Sequence, residues 1–144
     1  MPSIRSATLD RIDPAILYRI AQLRTDVFVY EQGIVSEPEL DGLDLEPTTT
    51  LYWAQVEGDV VATLRVLDDG PTIHIGRVAT ARHARRRGHA ARLIDAVIGD
   101  FPRPIEISAQ AYLEEWYGRW GFRRTGPNYL EAGIDHVPMR RDVG

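Results

Sequence analysis

The chain has 144 residues, 44% of them hydrophobic and 26% charged, which is the size and composition of one globular domain built around one core. It has no cysteine, which excludes disulfides, thiolate metal sites and a cysteine nucleophile, and its net charge of −4 argues against a general nucleic-acid binder. No apolar run approaches the ~18 residues of a membrane span, and the opening Met1-Pro-Ser-Ile-Arg lacks the apolar stretch of a signal peptide, so the expected location is the cytoplasm.

Residues 3–9 read as a first strand. Asp13-Pro14 is a helix start, and Ile16, Leu17, Ile20, Leu23 and Val27 follow at helical spacing to about Val29. Residues 31–50 lack periodicity and hold Glu31, Glu37, Glu39, Asp41, Asp44 and Glu46 with no base, an acidic loop. Three strands follow, 51–57, 60–67 and 72–80, joined by turns tight enough for an antiparallel meander. Arg85-Arg86-Arg87-Gly88-His89-Ala90 leads into a helix with Leu93, Ile94 and Val97 on one face, closed near Gly99 by Pro102 and Pro104. Residues 104–108 form a strand, reached by a crossover that makes it parallel to the strand before the helix. A helix over 112–120 ends at Gly121, and a last hairpin pairs 122–130 with 134–141. The order predicts an α/β domain over residues 1–144 with a mixed sheet.

The stretch Val78-Ala79-Thr80 to Ala90 is an anion site in outline. The first N–H groups of a helix have no internal partner and lie at the positive end of its dipole. Gly88 keeps a Cβ out of the way, and Arg85, Arg86 and Arg87 add charge. All 17 basic residues are arginine, so a Walker loop, which needs lysine, is excluded; the G-x-G-x-x-G dinucleotide fingerprint is absent too. What remains is R-x-x-G-x-A at Arg85, Gly88 and Ala90.

That pattern resembles the coenzyme A-binding motif of the GNAT N-acetyltransferases, Gln/Arg-x-x-Gly-x-Gly/Ala. The segment Trp116-Tyr117-Gly118-Arg119-Trp120-Gly121-Phe122, about 30 residues on, resembles the family's aromatic-Tyr-x-x-x-Gly-Phe mark. Leu23-Arg24-x-x-Val27-Phe28-Val29-x-Glu31-Gln32, Asp41-Gly42-x-Asp44, Ile75-Gly76-Arg77-Val78, Ala109-Gln110-Ala111 and Gly133-Ile134-Asp135-His136 are similar to the ElaA-like branch. Arg86 departs from a frequent glycine and Ala90 from the commoner final glycine, and both are expected to crowd the loop slightly.

The resemblance implies the acyl-CoA N-acyltransferase fold, a mostly antiparallel mixed sheet with helices on both faces. It implies transfer of the acetyl group of acetyl-CoA to a primary amine of a small molecule or protein. Backbone amides of Arg77-Val78-Ala79-Thr80 are then expected to hold the pantetheine arm and polarise the carbonyl, and residues Arg85 to Ala90 the pyrophosphate. Tyr117 is expected to protonate the leaving thiolate. Glu31 is the preferred general base, with Asp41, Asp44, His74 and His136 as the other candidates. His83 and His89 are expected to bind the ligand or face solvent, and the histidines are too scattered for a metal site. The acidic stretch points to a cationic acceptor. Neither nucleic acid nor membrane is expected as a partner, and the chain is expected to be a monomer or homodimer. The competing reading is a non-catalytic acyl-CoA-binding sensor or scaffold.

Overall fold

The computed structural model describes residues 2–144, so Met1 of the N-terminal stretch lies outside it. Strand β1 (Ser3–Ala7) leads into helix α1 (Pro14–Arg24), whose start is fixed by the Asp13 carboxylate accepting the Ala15 N–H at 2.9 Å and by Pro14 in the first turn. The helix does not run on as an α-helix to Val29. It widens into a π-helical segment over Thr25–Glu31, a distortion often found at functional sites. After the acidic loop come β2 (Thr50–Val56), β3 (Asp59–Asp68) and β4 (Ile73–Thr80). Then follow α2 (His89–Asp100), β5 (Ile105–Gln110), the short α3 (Glu114–Gly118) and strands β6 (Arg123–Arg124), β7 (Tyr129–Glu131) and β8 (Ile134–Arg141).

The sheet order is β1-β2-β3-β4-β5-β8-β6, with β7 also on β8. Only β4 and β5 are parallel, as their crossover through α2 requires. The β2–β3 hairpin turns at Glu57-Gly58 and the β7–β8 hairpin at Ala132-Gly133, each with two positive φ angles, the geometry that suits the right-handed twist of paired strands. Two expectations need correcting. Residues 122–130 are not one strand: Gly126-Pro127 interrupts them, because proline has no N–H for the ladder. The helix expected over 112–120 is only five residues long, preceded by a 3-10 turn over Ala111–Leu113.

The two long helices cover opposite faces. Leu51 and Trp53 of β2 pack with Ile12 and Ile20 beside α1, whereas Tyr52 and Ala54 pack with Leu93, Ile94 and Val97 of α2. That is the alternation of a strand buried on both sides. Each such fully buried side chain contributes roughly 1.5–3 kcal/mol of hydrophobic stabilisation. Strand β4 breaks the alternation. Thr63 pairs with Ala79 and Arg65 with Gly76, so Leu64 alone faces both Arg77 and Val78, a β-bulge. Ile73, Ile75 and Val78 join the α2 side while Ala79 turns to the α1 side. Arg77 carries the bulge at φ +53. Just before it, β4 and β5 part: their pairing ends at Ile75 and Ile107.

Candidate active site

The parting of β4 and β5 opens a cleft of about 450 Å³. Its walls include the bulge residues Gly76 to Thr80, Ser108 and Gln110 of β5, the π-helical end of α1 and Tyr117. Arg85 and Ala90 line it as well. The structure thus brings most of the sequence-selected residues to one place.

Helix α2 begins with nothing covering its donors. Gly88 stands at the N-cap in the left-handed region, at φ +78, with no side-chain cap, and the first turn holds no acid. The amides that open the helix therefore lack internal partners and face a positive dipole end. Arg86 and Arg87 are exposed and make no ion pair among the described residues. Arg86 has φ +66, which gives the physical reason a glycine suits that position. A Cβ on Gly88 would come within 3.4 Å of the Arg92 guanidinium, whose Nη1 donates to the Arg87 carbonyl at 2.9 Å. Sequence reasoning missed Arg92, although it lies one turn into α2 from Gly88. His83 is exposed, but His89 is buried rather than facing solvent, and burial, with Arg92 and Arg87 nearby, holds its imidazole below the ordinary value and hence neutral.

Arg85 behaves differently from its neighbours. Both terminal nitrogens donate to the Glu31 carboxylate at 2.6 Å and its Nε donates to the Thr80 carbonyl at 3.1 Å. The side chain ties the end of β4 to the end of α1. The next residue, Gln32, accepts from Gln110 Nε2 at 3.0 Å and so reaches β5. Glu31 and Gln32 together span both arms of the opening.

This geometry revises the choice of Glu31 as base. The Arg85 hydrogen bonds, opposed by desolvation and assisted by the Arg85 charge, hold its carboxyl below the ordinary value. A carboxylate so held is a weak proton acceptor. Asp41 and Asp44 are bound up more completely. Arg65 grips Asp41 through two hydrogen bonds of 2.9 and 2.6 Å, and Arg24 grips Asp44 at 2.8 and 3.2 Å. Glu39 receives Arg24 at 2.7 Å, and Arg77 Nε lies 2.9 Å from the same oxygen. Arg24 and Arg65 are almost fully buried, and burial opposes the Arg24 charge, yet Asp44 and Glu39 outweigh it and raise its value. Three carboxylates thus meet three guanidinium groups, and most of the acidic stretch is not the free anionic surface its sequence implied. His74 does not line the cleft; its Nε2 pairs with Asp69 at 2.9 Å.

The network has a consequence in acid. Arg65 above all holds the Asp41 carboxyl well below the ordinary value of 3.8. A depressed carboxyl contributes stability above its unfolded value and loses it as pH falls through the folded one. Urea unfolding should therefore weaken steeply below about pH 4, and Asp41→Asn should flatten that dependence. Equal slopes in both proteins would exclude Asp41 as a source.

His136 does line the cleft and is 7% exposed. Its Nδ1 donates to the Ile134 carbonyl at 2.7 Å, which leaves Nε2 as the accepting nitrogen of the neutral ring. Glu131 Oε2 lies 3.5 Å from Nε2 and 3.4 Å from Ser108 Oγ, which also contacts the Tyr129 hydroxyl. Ser108, Tyr129 and Glu131 were not singled out from the sequence. Tyr117 is 5% exposed, with its ring edge-on to Trp116 at 4.9 Å and Phe122 at 5.9 Å. Burial pushes its phenol well above the ordinary value, so it keeps its proton at neutral pH, and its hydroxyl has no hydrogen-bond partner among the described residues. Among the described residues no cluster of three histidine or acidic side chains is arranged to hold a metal ion, and no helix is long and apolar enough to cross a membrane.

Known proteins share this sequence and fold. The model of the acetyltransferase (GNAT) domain matches residues 23–143. A UPF0039 protein of Mycobacterium tuberculosis is 40% identical over 147 aligned positions, covering 96% of this chain and 92% of the relative. An acyl-CoA N-acyltransferase from Pseudomonas aeruginosa has a crystal structure that superposes with a TM-score of 0.90 at 36% identity, covering 98% of this chain and 99% of that one. Crystalline ElaA of Escherichia coli also gives 0.90, at 28% identity over 99% of this chain and all of that one. On sequence and fold together, this chain belongs to the GNAT acyltransferases, in the company of ElaA and the UPF0039 proteins.

Proposed function

We propose that residues 1–144 form one cytoplasmic N-acetyltransferase domain that moves the acetyl group of acetyl-CoA directly to a primary amine of a small molecule or peptide. The observation that carries this reading is the cleft itself. It joins an uncapped helix start, a bulged strand and a buried tyrosine with a free hydroxyl. The chain's features fit the coenzyme: bare amides at 88–90 and the exposed Arg86 and Arg87 suit a diphosphate, and the separated edges of β4 and β5 suit an extended arm rich in amides.

Acetyl-CoA supplies an activated thioester carbonyl. The amides of Val78 and Ala79, with Thr80 beyond them, orient that carbonyl and favour negative charge on its oxygen. His136 Nε2 takes the proton that the attacking amine sheds, the Ile134 carbonyl holds the ring through Nδ1, and the charge of Glu131, 3.5 Å from Nε2, favours the resulting imidazolium. The Tyr117 hydroxyl gives its proton to the departing sulfur. Glu31 keeps Arg85 in place instead of acting as the base. Glu37 and Glu131, the cleft carboxylates without an arginine partner, favour an acceptor carrying positive charge.

Acetyl-CoA offered with a panel of amines should release free thiol, measured with a thiol reagent; the chain has no cysteine to add background. His136→Asn should lower kcat by about a hundredfold while KM for acetyl-CoA stays within about twofold, and unchanged turnover would remove the histidine as the base. Coenzyme binding without thiol release from any amine would leave a binding domain instead of an enzyme.

A further inference from the structure

Several branch motifs have no part in the chemistry above: Arg24, the pair Asp41 and Asp44, and Arg77. They come from α1, the acidic loop and β4, and with Arg65 of β3 and Glu39 they form one cluster. Burying so many charges costs solvation that a hydrophobic patch would not, so the cluster is poorly explained by stability alone. Its position offers another explanation. Arg77 is the bulge residue, at φ +53. A side-chain-bearing residue in that region carries a strain cost, which contacts to its side chain can offset. Arg77 is held by two hydrogen bonds, from Nη2 to the Glu39 carbonyl at 3.1 Å and to Asp41 Oδ2 at 3.2 Å, and by an ion pair in which Nε lies 2.9 Å from Glu39 Oε2 without a hydrogen bond of its own. Arg24 and Arg65 anchor the two acids in turn. The loop therefore reaches across α1 and β3 to grip the one residue whose backbone sets the direction of the next peptide.

We propose that Asp41 and Glu39 are positioning residues for acyl transfer: by gripping Arg77 they fix the β4 bulge and so aim the Val78 amide into the cleft. This rests on the reading that the amide faces the reacting carbonyl. Asp44 and Arg24 brace the acids from behind. The Asp41-Gly42-x-Asp44 motif then serves the oxyanion side of the reaction without touching substrate.

Asp41→Asn keeps the size of the side chain and removes its charge. A donor misplaced by about 1 Å costs about a hundredfold in rate, so kcat should fall by about tenfold to a hundredfold while KM for acetyl-CoA stays within about twofold. In amide NMR of the free protein, the Val78 and Ala79 signals should move. Asp68→Asn breaks the Asp68–Arg103 pair of 2.8 and 2.9 Å at the last residue of β3, outside the cluster, and should leave kcat and those two signals in place. Unmoved Val78 and Ala79 signals in Asp41→Asn overturn the proposal. So does a loss of kcat matched by an equal rise in KM with signals displaced throughout the chain. If Asp41→Asn does not fold, Arg77→Lys, which keeps the charge and loses the fork, is read in the same way. A wild-type protein with no turnover defeats the assigned reaction, while the amide signals still decide the clamp.

Discussion

Gly88→Glu should abolish the rise in melting temperature that acetyl-CoA gives the wild-type protein. A ligand present at about 100 times its Kd stabilises by about 2.7 kcal/mol. For a chain of this size that is a shift of about 5–10 °C. The substitution places a carboxylate among the open amides at the start of α2, where a diphosphate would meet repulsion instead of donors. The fold should survive, because Glu57, Arg77, Arg86 and Ala132 already hold positive φ. The expected penalty of a side chain at φ +78 is about 1 kcal/mol in the free protein. Gly88→Ala carries that same penalty without the charge, and should retain a shift at higher ligand concentration. A full shift in Gly88→Glu would place the coenzyme elsewhere.

Tyr117→Phe should lower kcat by about a hundredfold or more, the usual worth of a positioned proton donor. KM for acetyl-CoA should stay within about twofold. The melting temperature should hardly move, since the lost hydroxyl has no partner among the described residues and the edge-on contacts with Trp116 and Phe122 remain. Because burial raises the phenol above its ordinary value of 10, wild-type activity should show no loss from this group up to at least about pH 9. Unchanged turnover in Tyr117→Phe would remove the tyrosine from the mechanism.

The helices α1 and α2 and the four strands that flank them were legible because their apolar spacing is regular and their caps are local: Asp13-Pro14 at one start, Gly88 at the other. The bulge at Arg77 was not. Ile73 to Thr80 reads as one unbroken strand, and the adjacent Gly76, not Arg77, is the residue that sequence would choose for unusual backbone geometry. The π-helical widening was hidden for a similar reason, since Val27, Phe28 and Val29 suit an α-helix equally well. Gly126-Pro127, by contrast, is a visible signal for a break, which the reading of 122–130 as one strand overlooked. In the site, the R-x-x-G-x-A loop and the aromatic motif carry their own chemistry locally. The partners of Arg85 and of the acidic loop do not. Glu31 lies 54 positions from Arg85, and Asp41 lies 24 from Arg65, so only folding shows that these charges cancel. A run of acids in a sequence therefore says little about surface potential until the arginines have been placed.

The divergence of β4 from β5 has one more effect. Past Ile75 and Ile107, two strands in the middle of a sheet show each other unpaired backbone. Such margins are the part of a protein most adhesive to any passing chain, and most proteins keep them short or covered. This molecule keeps them indoors, with Glu31 and Gln32 barring the doorway through Arg85 and Gln110. Stripping both side chains away would turn a ligand slot into a template on which a second copy could crystallise its own strands.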